Sequence, residues 1–117
     1  MFKTELGKHG EDIACNYLIQ TGYKIVERNF RTRSGEIDIV ATKSGTLSFI
    51  EVKTRNNLNF GLPFEAVNRK KIKKIRTASI EYLQNKTVNY SELSFDVVSI
   101  IMNNTKNAEI EHIKGAF

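Results

Sequence analysis

The segments GEIDIV (Gly35 to Val40) and SFIEVKTR (Ser48 to Arg55) flank the short polar sequence TKSGT, and each sets charged residues among apolar ones. Alternation over Gly35 to Thr42 and Leu47 to Thr54 predicts two half-buried strands, and Ser44-Gly45 suits a two-residue hairpin turn. In a hairpin centred there, Ile37 faces Val52 and Ile39 faces Ile50 on one side. On the other, Asp38 faces Glu51 and Glu36 faces Lys53. A slip of one residue would mix apolar and charged side chains on both faces, so the pattern selects this register.

The register has a chemical consequence. Directly opposed side chains have Cβ atoms roughly 5 Å apart, so Asp38 and Glu51 become close like charges that call for compensation. Two carboxylates completed by water and phosphate oxygens suit Mg²⁺, a hard cation that keeps much of its hydration. Lys53, two residues beyond Glu51 on the same strand face, can reach water or phosphate at such an ion. The alternative is an ordinary solvated sheet face with Glu36 and Lys53 as an exposed ion pair of small value. Val40 and Phe49 share the charged face, which argues that its turn end is covered and that the charges lie in a cleft at the other end.

The remaining sequence supplies the frame. Leu6, Gly10, Ile13, Ala14, Tyr17 and Leu18 recur at helical spacing from about Lys3 to Thr21, and Gly22 suits the C-terminal cap. Tyr23 to Arg31 is rich in strand formers, and NNLNFGLPF, with the single proline, reads as a loop. A second helix starts at the N-cap candidate Asn68, turns Ile72, Ile75, Ser79, Tyr82 and Leu83 inward, and ends near Lys86. Leu93 to Met102 is apolar enough for a central strand covered on both faces, and Ile110 to Ile113 adds a short edge strand. A chain of 117 residues with this order, α-β-β-β-α-β(-β), predicts one α/β domain over 1–117, a mixed sheet flanked by helices.

Net charge of +5 favours polyanionic partners. Much of it lies in RKKIKKIR, where Arg69, Lys70, Lys71, Lys73, Lys74 and Arg76 surround the inward pair Ile72 and Ile75. Positive charge at a helix start opposes the helix dipole, so phosphate binding, rather than helix stability, is the reading chosen for it. Arg33 and Arg55, with Arg28 and Arg31, extend this track or pair with Glu27 and Glu36; nothing suggests readout of base edges. Asp96, within the apolar strand, needs a basic or amide partner and reads as structural. The lone Cys15 excludes an intrachain disulfide and reads as a buried helix residue. His9 and His112 lack metal-ligand spacing, and no serine has triad context, which leaves zinc and nucleophilic-residue chemistry unsupported. With no apolar run of membrane-spanning length and no signal-peptide core in MFKTELGKHGED, a cytoplasmic protein without membrane association is expected.

Asp38 followed by Glu51-Val52-Lys53 resembles the signature of the PD-(D/E)xK nuclease superfamily, which includes restriction endonucleases and archaeal Holliday-junction resolvases. The ordered set GKHGEDIACNYL, GYKIVERNFRTRSGEIDIVA, FIEVKTR, AVNRKKIKKI and FDVVSI is similar to the YraN family of small bacterial proteins with a restriction-endonuclease-like fold. This resemblance implies that Asp38 and Glu51 are Mg²⁺ or Mn²⁺ ligands, with the Val52 carbonyl as a third, and that Lys53 is the catalytic lysine. Glu11 matches an accessory acidic residue of the first helix; its position beside the stripe through Ala14 and Leu18 fits either a place at the sheet edge or a solvated glutamate. Glu36 is assigned to orienting Lys53. Ile37 replaces the proline of the signature, a variable position. Val88, four residues after Gln84, breaks the Gln-x-x-x-Tyr motif of RecB-like nucleases and argues against that branch. The implied function is a metal-dependent endonuclease or resolvase-like phosphodiesterase acting on structured or non-specific DNA, in which a homodimer would let two sites cut two strands. The alternative is a non-catalytic nucleic-acid-binding accessory protein of DNA repair, recombination or uptake.

Overall fold

The computed structural model describes residues 5–56, 68–103 and 107–117. Helix α1 (Glu5–Gln20) leads into strands β1 (Lys24–Arg31), β2 (Glu36–Lys43) and β3 (Thr46–Asn56); α2 (Arg69–Asn85), β4 (Glu92–Met102) and β5 (Ala108–Ile113) follow. This is the expected α-β-β-β-α-β-β order. The loop expected within NNLNFGLPF lies, beyond Asn56, outside the described residues.

The strands form one sheet in the order β1-β2-β3-β4-β5, parallel between β3 and β4 and antiparallel elsewhere. Helix α1 covers one face, where Ala14 and Leu18 pack with Ile39, Ala41, Ile50, Val98 and Ile100. Helix α2 covers the other, where Ile75, Ala78 and Tyr82 pack with Ile37, Val40, Leu47 and Phe49. The Tyr82 ring meets Phe30 and Phe49 edge-on, with centroids 5.1 and 5.8 Å away. Each large apolar side chain fully buried in these layers contributes about 1.5–3 kcal/mol. β4, between β3 and β5, is buried on both faces from Asp96 to Ile100, as its apolar sequence predicts.

Local chemistry sets the element ends. Gly22 (φ 100°) closes α1, with its N–H donating to the Ile19 carbonyl and that of Tyr23 to the Leu18 carbonyl. Asn68 caps α2 by accepting from the Lys71 N–H at 3.0 Å. Ser44 (φ 49°) and Gly45 (φ 83°) make the hairpin turn, which sets the expected register from Lys43 opposite Thr46 to Ile39 opposite Ile50.

The register pairs stop at Ile39, and here the structure departs from the simple hairpin. Ile37 lies in the α2-side core, whereas Ile39 belongs to the α1 side with Val52 packed against it, so Ile37 and Val52 do not share a face. The cause is a kink across β1 and β2. Asn29 takes a left-handed conformation (φ 54°) between Arg28, opposite Ile39, and Phe30, opposite Ile37. Beside it, an Asp38 carboxylate oxygen accepts from the Val52 N–H at 2.8 Å.

Asp96 is fully buried and accepts from Ser94 Oγ, from the Gly115 N–H at 3.1 Å and from His112 Nε2 at 2.7 Å. Burial alone would raise its pKa; the hydrogen bonds from His112, Ser94 and Gly115 outweigh it and hold the carboxyl below its ordinary 3.8. With the folded value depressed, this contribution to stability is complete above the ordinary value and is lost as pH falls through the folded one. Urea unfolding titrated downward from pH 6 should therefore show a loss beginning near pH 4 that Asp96→Asn does not share. A second expectation concerns Gly10, where an added Cβ would lie 1.9 Å from Thr54 Oγ1 of β3. Gly10→Ala should cost about 1–3 kcal/mol in urea unfolding, because the short threonine cannot swing clear.

Candidate active site

The kink opens a cavity of about 660 Å³ at the end of the hairpin remote from its turn. Glu11 from α1, Asp38 from β2, Glu51 and Lys53 from β3, and Lys71 and Lys74 from α2 reach its wall. Arg33 and Glu36, from the β1–β2 connection and the start of β2, line the same cavity. The acidic site candidates and Lys53 thus converge with Arg33, Lys71 and Lys74, although they come from separate elements; Arg55, Arg69, Lys70, Lys73 and Arg76 do not line the cavity.

Glycine at position 10 lets α1 lie against Thr54, and this contact carries Glu11 into the protein, where it is 3% exposed. Arg28 Nη2 stands 3.9 Å from Glu11 and 2.8 Å from Asp12, tying the helix to β1. The opposite wall is fixed by Gly35, where an added Cβ would lie 3.1 Å from the Lys74 carbonyl oxygen. The backbone of the β1–β2 turn therefore packs against α2. Ser34 Oγ reinforces this contact by donating to Glu81 at 3.2 Å.

Glu11, Glu36 and Asp38 each bring a carboxylate oxygen within 4.8 Å of the other two. This grouping differs from the pairing across the hairpin expected of the sequence. The kink joins Asp38 to Glu11 and Glu36, whereas Glu51 keeps the α2 side and lies 3.4 Å from the ammonium groups of both Lys53 and Lys71. Glu36 accepts from Arg31 Nε at 2.6 Å, a pairing in place of the expected one with Lys53.

The two lysines influence each other. Burial and the neighbouring Lys71 pull the Lys53 pKa below its usual value, against the attraction of Glu51. At Lys71 burial acts downward, but Lys53, Glu51 and Asp38 together raise the value. Lys53 is thus the readier of the two to release a proton.

Of the expected nucleic-acid contacts, Arg69, Lys70, Lys73, Lys74 and Arg76 are exposed along α2, with Lys74 at the cavity. Arg76 also lies over the Phe95 ring at 5.2 Å. Arg33 is exposed and lines the cavity, whereas Arg55 is partly buried and does not. Lys71 is half-buried and stands apart from the run because its ammonium reaches Glu51. Its spacing from Ile75, one turn later on the inward stripe, was the signal in the sequence that could have separated it.

Fold and cavity define a mixed α/β protein with a carboxylate- and lysine-lined cleft where strand pairing ends. The family model described as uncharacterised protein family UPF0102 matches residues 10–100. A UPF0102 protein of Syntrophomonas wolfei is 49% identical over 113 residues, covering 97% of each chain. One from Persephonella marina is 43% identical over 117 residues, covering this whole chain and 97% of its own. Another, from Rhodococcus opacus, is 43% identical over 112 residues, with 96% of this chain and 95% of the relative covered. The chain belongs to the UPF0102 family, the YraN family to which its motifs point.

Because Glu51 is the group that holds Lys53 in its charged form, Glu51→Gln should lower the Lys53 pKa further. NMR titration of proteins carrying ¹³C-labelled lysine side chains measures the shift directly.

Proposed function

We propose that the protein is a metal-dependent nuclease that hydrolyses phosphodiester bonds in DNA through the cavity around Asp38. The observation that carries the reading is the meeting of buried Glu11, Asp38 and Glu51 with Lys53 in one cavity bordered by the basic helix α2. The donor set fits a hard divalent cation: carboxylate oxygens converge from Glu11, Glu36 and Asp38, and a cation relieves their mutual repulsion. Asp38 would hold Mg²⁺ or Mn²⁺ with these neighbours and with Glu51 and the Val52 carbonyl, the further ligands that the family signature implies. When bound, such an ion supplies Lewis acidity toward the phosphate and acidifies a water molecule.

The protein's own groups do the rest. Lys53 donates a hydrogen bond to the attacking water or to a phosphate oxygen and counters the charge that grows there during reaction. Arg33 at the cavity and the exposed row Arg69, Lys70, Lys73, Lys74 and Arg76 hold the DNA backbone without reading base edges, and Arg55 extends that positive surface. No helix among the described residues is long and apolar enough to cross a membrane, so none competes with this reading by acting as a membrane span.

The test is Mg²⁺- or Mn²⁺-dependent cleavage of duplex, single-stranded, flap and four-way-junction DNA. Asp38→Ala and Lys53→Ala should each lower cleavage by about 10²–10³-fold. Affinity should fall steeply with salt, by about 10³ between 50 and 200 mM if six phosphates are neutralised. Salt-sensitive binding with no cleavage of any substrate would instead identify a non-catalytic binding module.

A further inference from the structure

We propose that Lys71 is a second catalytic lysine that contacts the scissile phosphate, and that it is functionally distinct from the basic residues around it; the inference rests on the nuclease reading. Lys71 Nζ approaches Glu51 Oε1 at 3.4 Å, and Lys53 Nζ approaches the same oxygen at 3.4 Å. One ammonium comes from β3 and the other from α2, so the carboxylate is held between cations on two separate elements.

The position of Lys71 is built into the fold. Its backbone N–H is fixed by the Asn68 cap, and its helix is held against the β1–β2 turn at Gly35 and Ser34. Lys71 is only partly exposed, whereas Arg69, Lys70, Lys73, Lys74 and Arg76 are exposed. The run RKKIKKIR is thus divided by helix phase: Lys71 reaches the Glu51 carboxylate inside the cavity, Lys74 lines the cavity while staying exposed, and the others remain on the surface. A phosphodiester beside Asp38 and Glu51 would find Lys53 and Lys71 both in reach of its non-bridging oxygens, and these oxygens gain charge as water attacks. Two fixed cations stabilise that state more than the singly charged ground state. With a divalent cation held by Asp38 and Glu51, the Glu51 carboxylate would hold Lys71 less tightly, and the Lys71 ammonium would be freer to reach the phosphate.

The experiment measures single-turnover cleavage at saturating DNA, DNA affinity in Ca²⁺, and Mn²⁺ affinity by titration calorimetry. It compares wild type with Lys71→Ala, Lys71→Arg, Lys70→Ala and Lys86→Ala, each checked for folding by circular dichroism. Lys71→Ala should slow cleavage about 100-fold with DNA affinity changed less than about threefold, and Lys71→Arg should recover part of the rate. Lys70→Ala should weaken DNA affinity, as expected of a surface phosphate contact. Lys86→Ala, which removes a charge from the far end of α2, should leave cleavage unchanged. Mn²⁺ should bind Lys71→Ala severalfold more tightly than wild type, because a competing cation has left Glu51. Wild-type cleavage by Lys71→Ala, or unchanged Mn²⁺ affinity, would overturn the role of Lys71 alone. Failure of the wild-type protein to cleave any substrate would overturn the nuclease reading, and this role with it.

Discussion

The hydrogen bond from the Val52 N–H to the Asp38 carboxylate is the contact on which the rest of the site depends. In a continuous hairpin a strand carbonyl would take that N–H and the two strands would run on in register. Here a side chain intercepts it, the register pairs stop at Ile39 and Ile50, and the sheet opens into a fork. The left-handed Asn29 makes the matching turn in the neighbouring strand. An ionised carboxylate accepting a backbone N–H is stronger than a neutral pair, so the interruption need not weaken the sheet.

Two close backbone approaches convert the fork into a walled cavity. Gly10 lets α1 settle on Thr54 and brings Glu11 in from one face, while Gly35 lets the turn settle on α2 and brings Lys71 and Lys74 in from the other. The sheet therefore contributes Asp38, Glu51 and Lys53, and each helix adds charges of one kind: acidic from α1 and basic from α2. Asp96 stands outside this arrangement. Through Ser94, His112 and Gly115 it holds β5 and the segment after it to β4, which is the structural role its burial in an apolar strand suggests.

Much of this was legible because it is local. The Ser44-Gly45 turn and the apolar partners Ile39 and Ile50 set the register, Asn68 announced the start of α2, and the unbroken apolar run of β4 announced a central strand. The membership of Asp38, Glu51 and Lys53 in one cavity followed from that register and from the family signature. The grouping of carboxylates did not, because alternation assumes a straight strand, and the kink at Asn29 and Asp38 sends Ile37 and Ile39 to opposite cores. The burial of Glu11 depends on a helix–strand contact between residues far apart in sequence, for which Gly10 is the only local sign. Lys71 was hidden among chemically equivalent neighbours, and only the phase of α2 against β3 distinguishes it.

The central claim is that these carboxylates form a cation site, and anomalous diffraction from a crystal soaked in Mn²⁺ tests it most directly. The account predicts an anomalous peak in the cavity, contacted by Asp38 together with Glu11, Glu36 or Glu51, which disappears in Asp38→Ala. An empty cavity at millimolar Mn²⁺, or an ion that remains in Asp38→Ala, would contradict it.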